Sequence, residues 1–226
     1  MTIGSVERVL SGVLTLSAAV IAVALAHREF GRSTGRGAPN TNTPPSYVKN
    51  WNTLLQVGEL VGSADAPVKV IEFGDFECPF CRRSDSLYRV AASKFGQSVA
   101  LIFVHFPLGI HRFAVPAARA SECAARQGRF AAFHDKLYDR QDSLGLKTWT
   151  SFAVDAGVPD TAAFGACVQD VKPVSQIQAG LDAGKRFNVN STPTVLVNGW
   201  RFQYPPNGEQ LDSIIAAFSA PIAERR

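Results

Sequence analysis

The chain reads as an α/β protein: a parallel strand–helix–strand unit with a helical subdomain inserted behind it, preceded by an apolar N-terminal helix and a flexible linker. Three observations predict this. Two short apolar runs, residues 68–73 (VKVIEF) and 99–106 (VALIFVHF), flank a helical pattern at 79–95. Residues 112–170 carry helical rather than strand periodicity. Residues 9–26 hold no charge, and residues 27–46 are rich in Gly, Pro, Ser, Thr and Asn.

Composition narrows the reading. Of 226 residues, 46% are hydrophobic and 19% charged, which supports a packed core and excludes global disorder. Four cysteines are too few for a small disulfide-stapled scaffold. The net charge is +4, but half of it lies in the first 39 residues. No run of Lys and Arg interleaved with aromatics follows, so nucleic-acid binding is not expected.

The uncharged run at 9–26 would form a helix of about 27 Å, close to the hydrocarbon thickness of a bilayer. Two readings stand: a membrane signal anchor, or a signal peptide cleaved after Ala24-Leu25-Ala26. The flanking charges run against both, because three Arg follow the run and Glu7 offsets Arg8 before it. The oxidising chemistry argued below decides for export, so the remainder is expected outside the cytoplasm. Residues 27–50 then form a linker with little to bury. The folded domain takes 51–226, with its insertion at about 112–170.

Within that domain the β-rich apolar run 68–73 is a strand. Pro79 suits the first position of a helix, since its missing N–H would be unpaired there anyway. That helix stops at Gly96, and 99–106 returns as a second buried strand. The order strand–helix–strand implies parallel pairing. Helices are predicted at 114–127, 130–138, 147–156, 160–169 and 173–187. A strand at 194–197 enters an Asn198-Gly199 hairpin, whose residues both tolerate positive φ, and 200–204 returns. A helix at 207–218 closes the chain.

The motif that carries chemistry is Cys78-Pro79-Phe80-Cys81 at the strand-to-helix turn. A cysteine there faces unpaired backbone N–H groups and the positive end of the helix dipole, which favour the nucleophilic thiolate. Cys81, three residues on, lies on the same face one turn deeper and is placed to resolve a mixed disulfide. Half of a zinc site is the competing reading. It would need two more close ligands, whereas Cys123 and Cys167 stand apart in the sequence. No metal and no cofactor are expected.

IEFGDFECPFC, followed far downstream by Ser191-Thr192-Pro193-Thr194 and VLVNG, resembles the thioredoxin superfamily. Within it, residues 55 to 218 are similar to the DsbA-like thiol:disulfide oxidoreductases, a thioredoxin-like fold with an inserted helical subdomain. The segment PLGIHRFAVPAARASECAARQGRFAAFHDKLY is similar to the first insertion helices of membrane-anchored members. The resemblance implies that Cys78 is the exposed nucleophile and Cys81 its buried partner, with Pro79 and Phe80 between them. It implies a cis Pro193 preceded by Thr192, whose backbone would align an extended substrate segment. It implies that Glu72 is a buried acid passing protons to Cys81; an edge-exposed carboxylate is the alternative. His111 falls where relatives often carry His, and an ordinary surface role is equally open. Phe80 departs from the strongest oxidants of the family, which have His at that place. Asp75 and Glu77 should oppose a Cys78 thiolate, and Arg82 and Arg83 should favour it. Asn190-Ser191-Thr192 fits a glycosylation pattern, but a glycan there would block the cleft.

Cys123 and Cys167 fall in two insertion helices, where some relatives carry a disulfide. Pairing is expected in an oxidising compartment, with two buried free thiols as the alternative.

The function implied is an extracytoplasmic thiol:disulfide oxidoreductase acting on cysteines of unfolded or secreted proteins, as a DsbA-like oxidase. Such an oxidase would be re-oxidised by a membrane partner of the DsbB or vitamin-K-epoxide-reductase type. A reductase or isomerase of the same fold, or a non-catalytic tethered peptide-binding module, are the alternatives.

Overall fold

The computed structural model describes residues 43–219. The predicted membrane or export segment at 9–26 lies outside the described residues. Among the described residues, no helix is long and apolar enough to cross a membrane.

Six strands form one sheet in the order β1-β6-β5-β3-β4-β2. They are β1 (Ser46–Tyr47), β2 (Glu59–Gly62), β3 (Val68–Gly74), β4 (Val99–His105), β5 (Thr194–Val197) and β6 (Trp200–Arg201). β3 and β4 pair in parallel from Val68 opposite Val99 to Gly74 opposite His105. Helix α1 (Pro79–Phe95) crosses between them. β5 lies antiparallel on the other side of β3, so β3 is central and buried along almost its whole length.

The inserted helices are α2 (Ala114–Ala125), α3 (Phe130–Asp139), α4 (Trp149–Asp155) and α5 (Thr161–Gln169). Helices α6 (Ser175–Arg186) and α7 (Gly208–Ser219) follow. Two of the insertion helices start on side-chain caps. Thr148 accepts from the Ser151 N–H, and Asp160 accepts from those of Ala162 and Ala163. The predicted hairpin turn has φ of 45° at Asn198 and 88° at Gly199.

Strand periodicity sorts side chains to the two faces of the sheet. Val68, Val70, Leu101 and Phe103 pack with Tyr88 and Ala91 of α1, with Leu211 and Ile215 of α7, and with Phe133, Phe152 and Phe164 of the insertion. Ile71, Phe73, Ile102 and Val104 pack with Ala183 of α6 and with Leu54. The insertion thus shares the apolar core that lies under α1 rather than forming a separate one.

Three expectations change. The linker was expected to run through residue 50, yet Ser46 and Tyr47 pair with Arg201 and Trp200. β2, which pairs with β4, was not expected either. Both are edge strands of only two and four residues, too short for alternation to stand out in the sequence. The strand expected at 200–204 likewise holds only two residues and ends at Arg201.

Cys123 of α2 and Cys167 of α5 are joined by a disulfide across a separation of 44 residues. Closing a loop of that size reduces unfolded-chain entropy by up to about 4 kcal/mol. Replacing both cysteines by alanine should lower the urea midpoint by an amount corresponding to roughly 2–4 kcal/mol and leave the reactivity of Cys78 intact. A midpoint equal to that of the parent would show that the bridge does not brace the insertion.

Candidate active site

Cys78 occupies the N-cap of α1 with extended backbone (φ −73°, ψ 120°), and Pro79 takes the first helical position. Its N–H donates to the Asp75 carbonyl (3.1 Å), and its own carbonyl accepts from the N–H groups of Cys81 and Arg82. The two thiols are unbridged in this structure. Cys81 is fully buried. Cys78, expected to be exposed, is only 3% accessible. The cause is the Thr192-Pro193 turn, which folds over it with a cis peptide bond. The Cys78 Sγ lies 3.4 Å from the Thr192 carbonyl, to which its thiol form donates. Pro79 and Phe80 remain open to solvent, Phe80 at 69%.

The environment drives the two thiols apart. Cys78 is lowered to about 5, chiefly because Cys81 hydrogen-bonds to its thiolate. Burial opposes this, while the Thr192 side chain and the backbone N–H groups of Cys81 and Phe80 add to it. The buried Thr192 hydroxyl has no hydrogen-bond partner in this structure. Cys81 is pushed well up, first by burial, then by its hydrogen bond to Cys78 and the charge of Glu72. One cysteine is therefore a thiolate at neutral pH and its neighbour a thiol.

Glu72 lies under this pair. It projects from the central strand on the side facing α1, and it is 2% exposed rather than at an edge. Ser84 Oγ donates to Glu72 Oε2 at 2.6 Å. Burial above all raises Glu72 to about 8, while hydrogen bonds from Ser84 and Cys81 partly restrain it. The carboxyl is thus protonated near pH 7, within hydrogen-bonding reach of the thiol it would serve.

Asp75 organises the turn. Its Oδ1 accepts from the Glu77 N–H (2.8 Å), and its Oδ2 accepts from the Leu108 N–H (2.8 Å) and pairs with His111 Nδ1 (2.7 Å). Glu77 accepts from the Phe113 N–H. These two carboxylates, expected to oppose the thiolate, are instead directed at the loop that enters the insertion. His111 joins the site through Asp75. Burial disfavours its cation, but the Asp75 bond and charge outweigh that and raise it. Arg82, expected to favour the thiolate, turns away to Asp142 (3.0 Å), and Arg83 is exposed.

Sequence reasoning missed two contributors, Ser84 and Gln141, and misassigned a third, Asp75. Ser84 fixes Glu72, Asp75 holds the loop, and Gln141 Nε2 donates to the Phe76 and Cys78 carbonyls at 2.8 and 2.9 Å. Only Ser84 carries a local signal, one helical turn beyond Cys81 on α1.

Zinc finds no third and fourth thiolate here, because Cys123 and Cys167 bond each other. Asp85, His134 and Asp135 lie close enough to share an ion. The Arg89 guanidinium, 2.5 Å from Asp85 Oδ2, already supplies a cation there.

The fold is a thioredoxin core with a helical insertion, and it carries a dithiol whose outer member is a thiolate over a buried protonated acid. Residues 56–217 match the thioredoxin family model, and the chain belongs to that family. It is similar to BdbD from Bacillus subtilis (TM-score 0.64, 23% identity, covering 78% of this chain and 96% of that one). It is also similar to a thioredoxin-like oxidoreductase from Silicibacter pomeroyi (TM-score 0.62, 23% identity, covering 76% and 99%). A segment of the Na(+)/H(+) antiporter NhaA 1 of Mycolicibacterium vanbaalenii is 37% identical over 147 residues, which is 64% of this chain. The match spans only 24% of the antiporter's length.

The pKa of Cys78 is checked by alkylation of the reduced protein with iodoacetamide. The rate should be flat from pH 6 to 8 and fall about ten-fold per pH unit below 5, where the thiolate takes up its proton. Replacing Cys81 by alanine should move the midpoint upward. A midpoint near 8.5 in the parent protein would refute the hydrogen-bonded thiolate.

Proposed function

We propose that the protein oxidises thiols of unfolded or secreted proteins by donating its Cys78–Cys81 disulfide. A substrate thiolate attacks Cys78 Sγ, the Cys78–Cys81 bond breaks, and Cys81 leaves with the bonding electrons. Cys81 is the poorer leaving group of the two, and protonated Glu72 beside it supplies a proton. A second substrate thiolate then attacks the substrate sulfur of the mixed disulfide and expels Cys78 as its stable thiolate. Two electrons pass from substrate to enzyme, and the substrate gains a disulfide.

The low pKa of Cys78 carries the choice of direction. A thiolate held at about 5 stabilises the reduced form above that pH and loses the stabilisation as pH falls through it. A stabilised reduced form makes the disulfide oxidising. Re-oxidation falls to a membrane quinone-linked partner of the DsbB or vitamin-K-epoxide-reductase type. The Cys123–Cys167 bridge supports an extracytoplasmic, oxidising location, which residues 9–26 would provide as anchor or export signal.

Equilibration with glutathione buffers tests the direction. The expected potential lies well above the roughly −270 mV of a thioredoxin-type reductant and toward the roughly −120 mV of a strong oxidant. A value near −270 mV would overturn the oxidase reading. Cys78→Ser should abolish exchange. Glu72→Gln should slow release of Cys81 by ten-fold or more without displacing the thiolate midpoint of Cys78 by a full unit.

A further inference from the structure

A cavity of about 570 Å³ opens where β1, β6 and the end of α6 meet. Strands β6 and β5 separate β1 from β3, the strand that leads to Cys78. Three cations line the cavity from three separate elements: Lys49 just after β1, Arg186 at the end of α6 and Arg201 in β6. No carboxylate is among the lining residues. Asp182, one turn before Arg186, is engaged by Gln178 (3.2 Å) and Lys185 (3.1 Å). Arg201 is fixed without a counter-charge: its Nη1 donates to the Phe187 carbonyl at 2.8 Å and its Nη2 to the Asn188 carbonyl at 3.3 Å. Among the described residues, the side chains of Lys49 and Arg186 make no hydrogen bond or salt bridge. A basic residue at a helix C-terminus is favoured by the helix dipole, so Arg186 alone would need no ligand. Lys49 and Arg201 have no such reason to gather there, and three like charges on one cavity repel one another until an anion enters. The strand register sets Ser46 opposite Arg201 on the lining. Asn50 and Asn188, also on the lining, hold left-handed backbone with φ of 59° and 51°. Such conformations cost free energy and collect where a ligand is clamped.

We propose that this cavity binds an organic phosphate, with the phosphate group held between Lys49, Arg186 and Arg201. The guanidinium forks match two phosphate oxygens at a time, and the ammonium adds a point charge. A bare phosphate would leave most of the 570 Å³ empty, so the ligand carries an organic part that reaches Val48 and Phe187 on the same lining. A soluble phosphate ester and a phospholipid headgroup present this same chemistry. None of the lining residues belongs to the Cys78–Cys81 turn or to Thr192-Pro193, so the site goes beyond the thiol-exchange reading and does not depend on it.

The test is calorimetric titration of the full chain, held in uncharged detergent, with glycerol 3-phosphate, dihexanoyl phosphatidylglycerol and sodium acetate. At least one of the two phosphate esters should bind about ten-fold or more tighter than acetate, the scale of one charge-assisted contact. Tighter binding of glycerol 3-phosphate assigns the site to a soluble ester, and tighter binding of the short-chain lipid assigns it to a headgroup. Lys49→Gln and Arg186→Gln change exposed side chains that bond to nothing else, so the fold is kept. Each should weaken the phosphate ester by about ten-fold. Lys185→Gln removes a neighbouring charge that does not line the cavity and should leave the affinity unchanged. Phosphate esters that bind no tighter than acetate show a general cationic surface and overturn the site. An affinity that survives both Lys49→Gln and Arg186→Gln, or that falls equally in Lys185→Gln, overturns it as well.

Discussion

The hydrogen bond between two thiols on one helix turn is the interaction on which the chemistry depends. Cys78 and Cys81 differ by three residues, yet their surroundings move them in opposite directions. A proton shared between them has a preferred side. Cys78 keeps the charge because it sits at the N-cap, where the backbone N–H groups of Phe80 and Cys81 converge. Cys81 keeps the proton because it lies one turn deeper, against a buried carboxyl. Neither helix nor strand alone creates this difference. It needs α1 to start where β3 ends, so that strand periodicity aims Glu72 at the underside of the same helix.

Asp75 converts that arrangement into a rigid one. Through both carboxylate oxygens and its carbonyl, it engages the N–H groups of Glu77, Leu108 and Cys78 and the imidazole of His111. The Tyr138 hydroxyl of α3 also donates to that carbonyl at 3.4 Å. One residue thereby links the end of β3, the loop leaving β4 and an insertion helix. The thiolate geometry is consequently tied to the docking of the insertion, and a loosened insertion would loosen the site.

How much of this could be read from sequence follows the range of each interaction. The CxxC at a strand-to-helix turn is local, so both thiols were legible, while the burial of Cys78 was not. Glu72 was legible as a buried acid only through family resemblance, because burial requires knowing that β3 is flanked on both sides. The nearness of Thr192 to Cys78 spans 114 residues and entered only through family resemblance. Gln141 left no signal: polar residues beside turns are common, and its partner lies 63 residues away. The short edge strands were missed because two to four half-exposed residues make no pattern. Asp75 and Glu77 were misjudged because charge was counted along the chain, while the folded loops direct it elsewhere.

The four cysteines divide by loop size as well as by environment. Closing the 44-residue loop between Cys123 and Cys167 restrains the unfolded chain by about 2 kcal/mol more than closing the loop between Cys78 and Cys81. The thiolate at Cys78 further favours the open form of the smaller loop. Both effects act in one direction, so a reductant in the surroundings opens the catalytic pair before the bracing one. That ordering suits a chain that opens and closes one disulfide on a scaffold held by another.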